Sequence, residues 1–296
     1  MSTTDADRKI KFMTYNVWSN EHVAVYRRMQ AVSDLIARHD PDVILLQEVT
    51  PYMKDILRKS PWWRQYYEKC HAPDCFAILL TKFTTGQLGD IIPDVAWLRP
   101  LSLPKGLLSV FLYWKCRRLT ETAVDAGVEG RLHPMYCDHK LIVSTCLFPG
   151  PSQSGIHSKD RLDKADQYLE YIDRRADPNA VLGGDMNWDD DLDGPFPIEG
   201  RKGWVDAWCE LRGDNGSAGG LTYDSVANPM LRSFKSGRTR PDRFICKLRD
   251  FNLDSIEMIG TEAIPGVTYY DDKGNQLPVL PSHHFGLMLT VSPKHD

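Results

Sequence analysis

The chain has 296 residues, 42% of them hydrophobic and 26% charged, with a net charge of −4. This composition supplies a sizeable core and excludes a disordered chain, while the acidic balance gives no global field for nucleic acid, so a polyanion would need a local basic patch. The longest strongly apolar run, GLLSVFLYW at 106–114, is far short of the roughly 20 residues of a membrane helix, and seven cysteines in no recurring spacing suit an intracellular protein better than a disulfide framework.

In chain order, residues 1–8 are polar and read as a loose tail. KIKFMTYNV (9–17) is β-rich and leads to Asn16. Residues 21–40 space Val25, Met29, Val32 and Ile36 along one helix face, and Pro41 blocks continuation. DVILLQEV (42–49) is a continuous apolar run, the mark of a strand buried on both faces, ending on Gln47 and Glu48. PYMKDILRKS (51–60) starts a helix with proline in its first turn. CFAILLTK (75–82) and KLIVSTCLF (140–148) are further buried strands. Residues 97–139 predict an irregular insertion, with a short helix at LLSVFLYWKCRRL (107–119). Residues 158–176 predict a helix with Leu162, Ala165, Leu169 and Ile172 on its inner face. AVLGGDMN (180–187) is a strand running into a loop, and RPDRFICKL and FGLMLTV are late strands. Without a linker or repeat, residues 9–296 read as a single domain. Many strands lack an intervening helix, which predicts mixed sheets packed face to face with helices outside, an α/β sandwich.

Polar groups recur at the ends of these strands: Asn16, Glu48, Asp185 with Asn187, and His283 and His284. Carboxylates and amides are hard oxygen ligands matched to Mg²⁺. An imidazole and side-chain amides can donate to developing phosphoryl charge, and a further carboxylate can take a proton from water. Together they describe metal-assisted phosphoester hydrolysis. The remaining acids of the run, Asp189, Asp190, Asp191 and Asp193, suit a turn whose carboxylates cap the backbone. LRSFKSGRTRPDR (231–243) carries Arg232, Lys235, Arg238, Arg240 and Arg243, a polyanion contact or a solvated loop. Cys70, His71 and Cys75, and His133, Cys137 and His139, offer zinc ligands at spacings that match no standard finger.

TYNVWS, LLQEV, GGDMNWDD, PDRF and PSHHFGL occur in the order and approximate spacing of the endonuclease/exonuclease/phosphatase superfamily, which the chain resembles over roughly residues 10–292. NWDDDLDGPFP, GWVDAW, TYDS, RPDRFICKL and LPSHHFGL narrow the likeness to the plant-like forms of the tyrosyl-DNA phosphodiesterase 2 family. The resemblance implies a deoxyribonuclease I-like fold, a four-layered α/β sandwich of two packed mixed sheets with outer helices. It implies Glu48 as principal ligand of Mg²⁺, replaceable by Mn²⁺, with Asn16 touching metal or phosphate and His283 on the metal side. Asp185 would align and deprotonate the attacking water, Asn187 would hold a phosphate oxygen, and His284 would stabilise the pentacovalent phosphate. Asp242 would accept from His284 and fix its tautomer. Asn187, Trp188, Arg238 and Arg240 would face the substrate. The implied reaction is hydrolysis of a 5′-phosphotyrosyl bond between DNA and a trapped topoisomerase, with DNA 5′ ends carrying a tyrosyl or peptide adduct as the partner. The implied protein is an intracellular monomer, nuclear or cytoplasmic, with no stable membrane association.

Two substitutions depart from the pattern. The family's Ser-Asp-His reads Ser282-His283-His284, and Cys146 falls where the family carries a histidine. Losing one transition-state donor costs about 10²–10³ in rate, and losing a metal-supporting group costs roughly 10–100-fold. A weakened enzyme, a phosphoesterase of the same fold acting on a lipid or inositol phosphate, and a paralogue that binds without cleaving are the alternatives.

Overall fold

In the computed structural model two mixed sheets pack face to face, and the period-2 alternation of their strands decides which side chains meet between them. Residues 8–68, 77–83, 107–119, 134–148, 150, 157–174, 179–213, 219–231 and 237–294 are described. The first half of the chain gives β1 (Ile10–Asn16), α1 (Val25–His39), β2 (Val43–Gln47), α2 (Pro51–Arg58), β3 (Tyr67–Glu68), β4 (Ile78–Thr81), β5 (Leu107–Leu119) and β6 (Pro134–Leu147). The second half gives α3 (Ser158–Arg174), β7 (Asn179–Asp185), α4 (Asp190–Asp193), β8 (Trp204–Asp206), α5 (Ala207–Arg212), β9 (Tyr223–Asp224), β10 (Arg238–Thr239), β11 (Asp242–Leu248), β12 (Phe251–Ile259), β13 (Thr268–Tyr270), β14 (Gln276–Pro278) and β15 (Gly286–Pro293). The first sheet has the order β12-β15-β1-β2-β4-β3, and the second β5-β6-β7-β11-β8. Each holds one parallel pair at its centre, β1 with β2 and β6 with β7.

The layers follow from the side-chain period. On β1 and β2, Met13, Tyr15, Ile44 and Leu46 point outward and pack under Met29, Val32 and Ile36 of α1 and Met53 and Leu57 of α2. Their neighbours Phe12, Val43 and Leu45 point inward against Val143, Val181, Phe244 and Cys246 of the second sheet. On the far side, Cys146, Ala180 and Leu182 lie under Ala165, Tyr168, Leu169 and Ile172 of α3. The result is helix, sheet, sheet, helix: the expected four-layered sandwich. Continuing the inward phase to the strand ends brings Asn16, Gln47, Asp185 and Asp242 to one edge of the inner layer.

The two glycines before Asp185 serve this packing. A methyl group at Gly183 would stand 2.6 Å from both Leu45 Cδ1 and the Phe244 ring, and one at Gly184, where φ is +153°, would stand 2.2 Å from the Cys146 carbonyl oxygen. Gly184→Ala should therefore lower stability by several kcal/mol, exceeding the ~1–3 kcal/mol of ordinary overpacking because the obstacle is backbone. Denaturant midpoints of the two alanine variants test this: Gly184→Ala must be the more damaging.

Two expectations need correction. Residues 107–119 form a strand, not a helix, paired antiparallel with β6 from Leu107↔Cys146 to Leu119↔Pro134. The β-branched and aromatic residues in that run suit a strand, and the insertion at 97–139 is thus regular sheet wherever it is described. Leu162 is 37% exposed; Arg161 takes the inward position on α3. The edge strand β12, whose burial alternates irregularly, was not anticipated. No helix among the described residues is long and apolar enough to cross a membrane.

Candidate active site

The polar strand ends form two adjacent hydrogen-bonded groups. Asn16 Nδ2 donates to Glu48 Oε1 at 2.9 Å and to Asp185 Oδ2 at 2.8 Å, while its Oδ1 accepts from the Trp18 N–H. Glu48 Oε2 accepts from both the N–H and the hydroxyl of Ser19, at 2.9 and 2.8 Å. Asp185 Oδ1 accepts the Asn187 N–H at 2.7 Å, and Asn187 Nδ2 reaches the Phe148 carbonyl at 2.9 Å. Asp242 stands opposite Asp185 in the β7–β11 register. Its Oδ2 is 2.7 Å from His284 Nδ1 and accepts the Thr222 hydroxyl at 2.6 Å. The backbone is left-handed at Glu48 (φ 56°), Asn187 (φ 46°) and Trp18 (φ 59°), conformations that side-chain-bearing residues adopt only where the surroundings hold them.

Burial sets the electrostatics. It pushes the Asp185 carboxyl up to about 6, against the pull of the His284 charge and with the push of Asp242. His284 moves the other way: burial disfavours its cation, but the charge and hydrogen bond of Asp242, with Asp185 and Glu48 behind, raise it to about 9. Glu48 is desolvated too, yet the donors from Asn16 and Ser19 hold it below the usual carboxylate range. The site thus contains an anion at Glu48, an acid–base group at Asp185 and an imidazolium at His284. The carboxylates of Asp185 and Asp242 have oxygens within 4.8 Å of each other and of a His284 ring nitrogen, and Asp242 Oδ1 is buried with no hydrogen-bond partner. This oxygen-rich donor set fits a hard divalent cation.

The structure brings Asn16, Glu48, Asp185, Asn187, Asp242 and His284 together and sends the others elsewhere. His283 lies outside the Asp185–Asp242–His284 group. Its ring stacks on Trp18 at 5.0 Å, its Nε2 is buried without a partner, and burial keeps it neutral by pushing its pKa well down. Trp188, expected to face substrate, is fully buried beside Phe196 and gives its indole N–H to the Gly194 carbonyl. Arg240 is also withdrawn: it is 3% exposed and paired to both oxygens of Asp206 at 3.0 Å. Arg243 joins the same carboxylate and reaches Asp190 at 2.7 Å. Only Arg238 of these three is exposed, and it pairs with Asp224 at 3.2 Å. Arg232 and Lys235 fall outside the described residues, as do Cys70, His71, Cys75 and His133 and the side chains of Cys137 and His139. Cys146 points outward from β6 into the core beneath α3, fully buried, and burial beside Asp185 and Asp242 raises its thiol pKa.

The acidic run is structural beyond Asn187. Asp189 caps α4 by accepting from Asp191 N, and Asp193 forms a buried pair with Arg161 at 2.6 Å. Asp206 caps α5 as well as holding Arg240 and Arg243. Asp206→Ala should therefore cost about 3–5 kcal/mol, since it strands the buried Arg240 cation and removes one of the two carboxylates on Arg243; a urea midpoint shift equivalent to under 1 kcal/mol would refute this account.

Ser19, Gln47, Thr222, Asn228 and Ser282 support the site. Ser282 Oγ donates to the Asn16 carbonyl at 2.6 Å, and Asn228 Nδ2 holds the Ser282 and His283 carbonyls at 3.0 and 3.1 Å. Ser19, Gln47, Thr222 and Ser282 stood inside the motifs TYNVWS, LLQEV, TYDS and PSHHFGL, and Asn228 stood in none; their partners are remote in sequence, so no local signal marked what they would hold.

A profile of the Endonuclease/Exonuclease/phosphatase family matches residues 13–261. A curated 5′-tyrosyl-DNA phosphodiesterase of Caenorhabditis briggsae is 21% identical over 238 residues, which cover 79% of this chain and 59% of that protein's length. Among solved structures, D. rerio TDP2 complexed with single-strand DNA product superposes with TM-score 0.62 at 19% identity, covering 96% of this chain and 99% of that one. The Bacteroides thetaiotaomicron mannosyl-6-phosphatase Bt3783 gives 0.53 at 16%, covering 95% and 99%. At these identities structural likeness establishes the fold and not the substrate. The sandwich, the convergence of its polar strand ends and the family profile across most of the chain lead to one conclusion: the protein belongs to the endonuclease/exonuclease/phosphatase family.

Proposed function

We propose that the protein is a divalent-metal-dependent phosphodiesterase acting on 5′-phosphotyrosyl ends of DNA. The observation that carries the chemistry is the meeting of Asn16, Glu48, Asp185, Asn187, Asp242 and His284 at one edge of the sandwich. The names of the nematode relative and of the D. rerio structure support the substrate. A bound Mg²⁺ or Mn²⁺ supplies charge neutralisation at the phosphoryl oxygens. Glu48 and the oxygens of the Asp185–Asp242 pair are the groups that would hold it. Asp185 takes a proton from the attacking water. His284, kept cationic by Asp242, donates toward the charge developing on phosphorus-bound oxygen. Asn187 fixes a phosphate oxygen with its remaining amide hydrogen. A monomer acting inside the cell, at nuclear DNA, belongs to the same proposal.

One observation favours a second reading. Arg240 and Arg243 are consumed by carboxylates, which weakens the basic patch a DNA substrate would use. A smaller phosphoester of sugar, inositol or lipid is the alternative. Single-turnover cleavage of a 5′-phosphotyrosyl oligonucleotide in Mg²⁺ and Mn²⁺, beside a sugar 6-phosphate and an inositol phosphate, separates the two. The proposal expects tyrosine release that is lost in Glu48→Ala. Faster turnover of a small phosphoester would replace the substrate, and cleavage of none by the folded protein would leave a binder.

A further inference from the structure

A buried cation with no carboxylate partner lies behind Glu48. Arg28, in the first turn of α1, has no exposed surface. Its Nε donates to the Val23 carbonyl at 2.8 Å, its Nη1 to Val17 at 2.8 Å and Trp18 at 3.3 Å, and its Nη2 to Trp18 at 3.3 Å and to Asn20. Every bond goes to a backbone carbonyl of a single loop, and no ion pair to Arg28 occurs among the described residues. The guanidinium also lies 4.8 Å over the Trp18 ring, which itself stacks with His283.

The loop needs such a clamp. Trp18 is left-handed at φ 59° and Ala24 at φ 41°, and the α1 N-terminus has no side-chain cap. A bulky residue in that region is unfavourable unless its surroundings over-determine it. The planar fork of five N–H donors meets four carbonyls of one loop at once, which a lysine ammonium cannot do. The same loop presents Ser19, and Ser19 supplies both hydrogen bonds to Glu48 Oε2. Glu48, itself left-handed, is thus held from two directions: Asn16 on the β1 side and Ser19 on the loop side.

We propose that Arg28 is a positioning residue of the site: its guanidinium folds the 17–23 loop so that Ser19 fixes the Glu48 carboxylate for a divalent cation. This deepens the proposed function and rests on its metal assignment. Outer groups that orient ligands are worth 10–100-fold in metal affinity.

The test compares Mn²⁺ binding by calorimetry in the wild type, Arg28→Met, Arg28→Lys and Ser19→Ala, with Glu48→Gln as the control that removes binding. Arg28→Met and Arg28→Lys should each weaken Mn²⁺ by tenfold or more, and saturating Mn²⁺ should restore most of the lost cleavage rate, which a merely structural defect would not allow. A folded Arg28→Met with wild-type affinity would overturn the clamp, and full rescue by Arg28→Lys would overturn the role of the fork. If Arg28→Met does not fold, Ser19→Ala carries the test: a several-fold loss supports the route through Ser19 and an unchanged affinity refutes it. If the wild type binds no Mn²⁺, the metal assignment falls, and hydrogen exchange at the Ser19 amide decides the clamp alone: protection must drop in Arg28→Lys. Binding of Mn²⁺ without cleavage of the tyrosyl oligonucleotide removes that substrate and leaves the clamp standing.

Discussion

Replacing Asp185 by asparagine lowers single-turnover cleavage by about 10²–10⁴, the range a positioned acid–base group contributes. The substitution keeps shape and volume, so the fold should survive and the loss should lie in the chemical step. The reason is where β7 ends. The inward phase of the strand places Asp185 in the sandwich interior, where desolvation brings its carboxyl up to about 6. The Asn187 N–H and Asn16 Nδ2 fix both oxygens, so that proton is exchanged at a defined place. A base works when deprotonated, so the rate should rise with pH through this limb. A bound cation shifts the limb to lower pH by favouring the anion. Single-turnover rates across pH, for wild type and Asp185→Asn, check this: the variant should lose the limb. Retention of more than a third of the wild-type rate would sink the assignment.

Asp242→Asn should cost about 10²–10³ in rate by discharging His284. Burial alone would keep that imidazole neutral; the Asp242 charge and hydrogen bond reverse the balance and set it at about 9. In the metal-free protein the sign for stability follows from linkage. The folded value lies above the unfolded value near 6.5, so the contribution is complete below pH 6.5 and is lost as pH rises through 9. A raise of this size corresponds to about 3 kcal/mol. NMR titration of His284 should show its pKa falling in Asp242→Asn, and urea midpoints of wild type should drop between pH 6 and pH 10 by more than those of the variant. An unmoved His284 would show that Asp242 does not govern it.

The strands were legible wherever both faces are buried. DVILLQEV and AVLGGDMN read as continuous apolar runs, and the polar residue at the end of each stood out against them. Four such ends pointed to one site before any contact was known. Less legible was the placement of polar residues whose partners are distant. Arg240 looked like a substrate contact because Asp206, 34 positions earlier, is invisible as its partner. Trp188, next to Asn187, looked like part of the site, yet it packs on Phe196 in the core cluster beneath α3. The run at 107–119 was ambiguous for another reason: it is long enough for a helix and β-rich enough for a strand, and only pairing with β6 decides.

Gln47 gives the sandwich an unequal seam. Its Nε2 donates across the interface to Thr145 Oγ1 at 3.0 Å, and back to Thr14 Oγ1 at 3.2 Å. The Asn16–Asp185 bond crosses at the same end, whereas the inter-sheet core away from it is an apolar cluster, whose contacts tolerate small slips of one sheet over the other. A directional bond does not. The sandwich is therefore riveted at the end that holds Asn16 and Asp185 and greased at the end that holds Ile10 and Val291. Breathing motions should open it from the greased end, leaving the geometry of the chemistry as the last part of the interface to be lost.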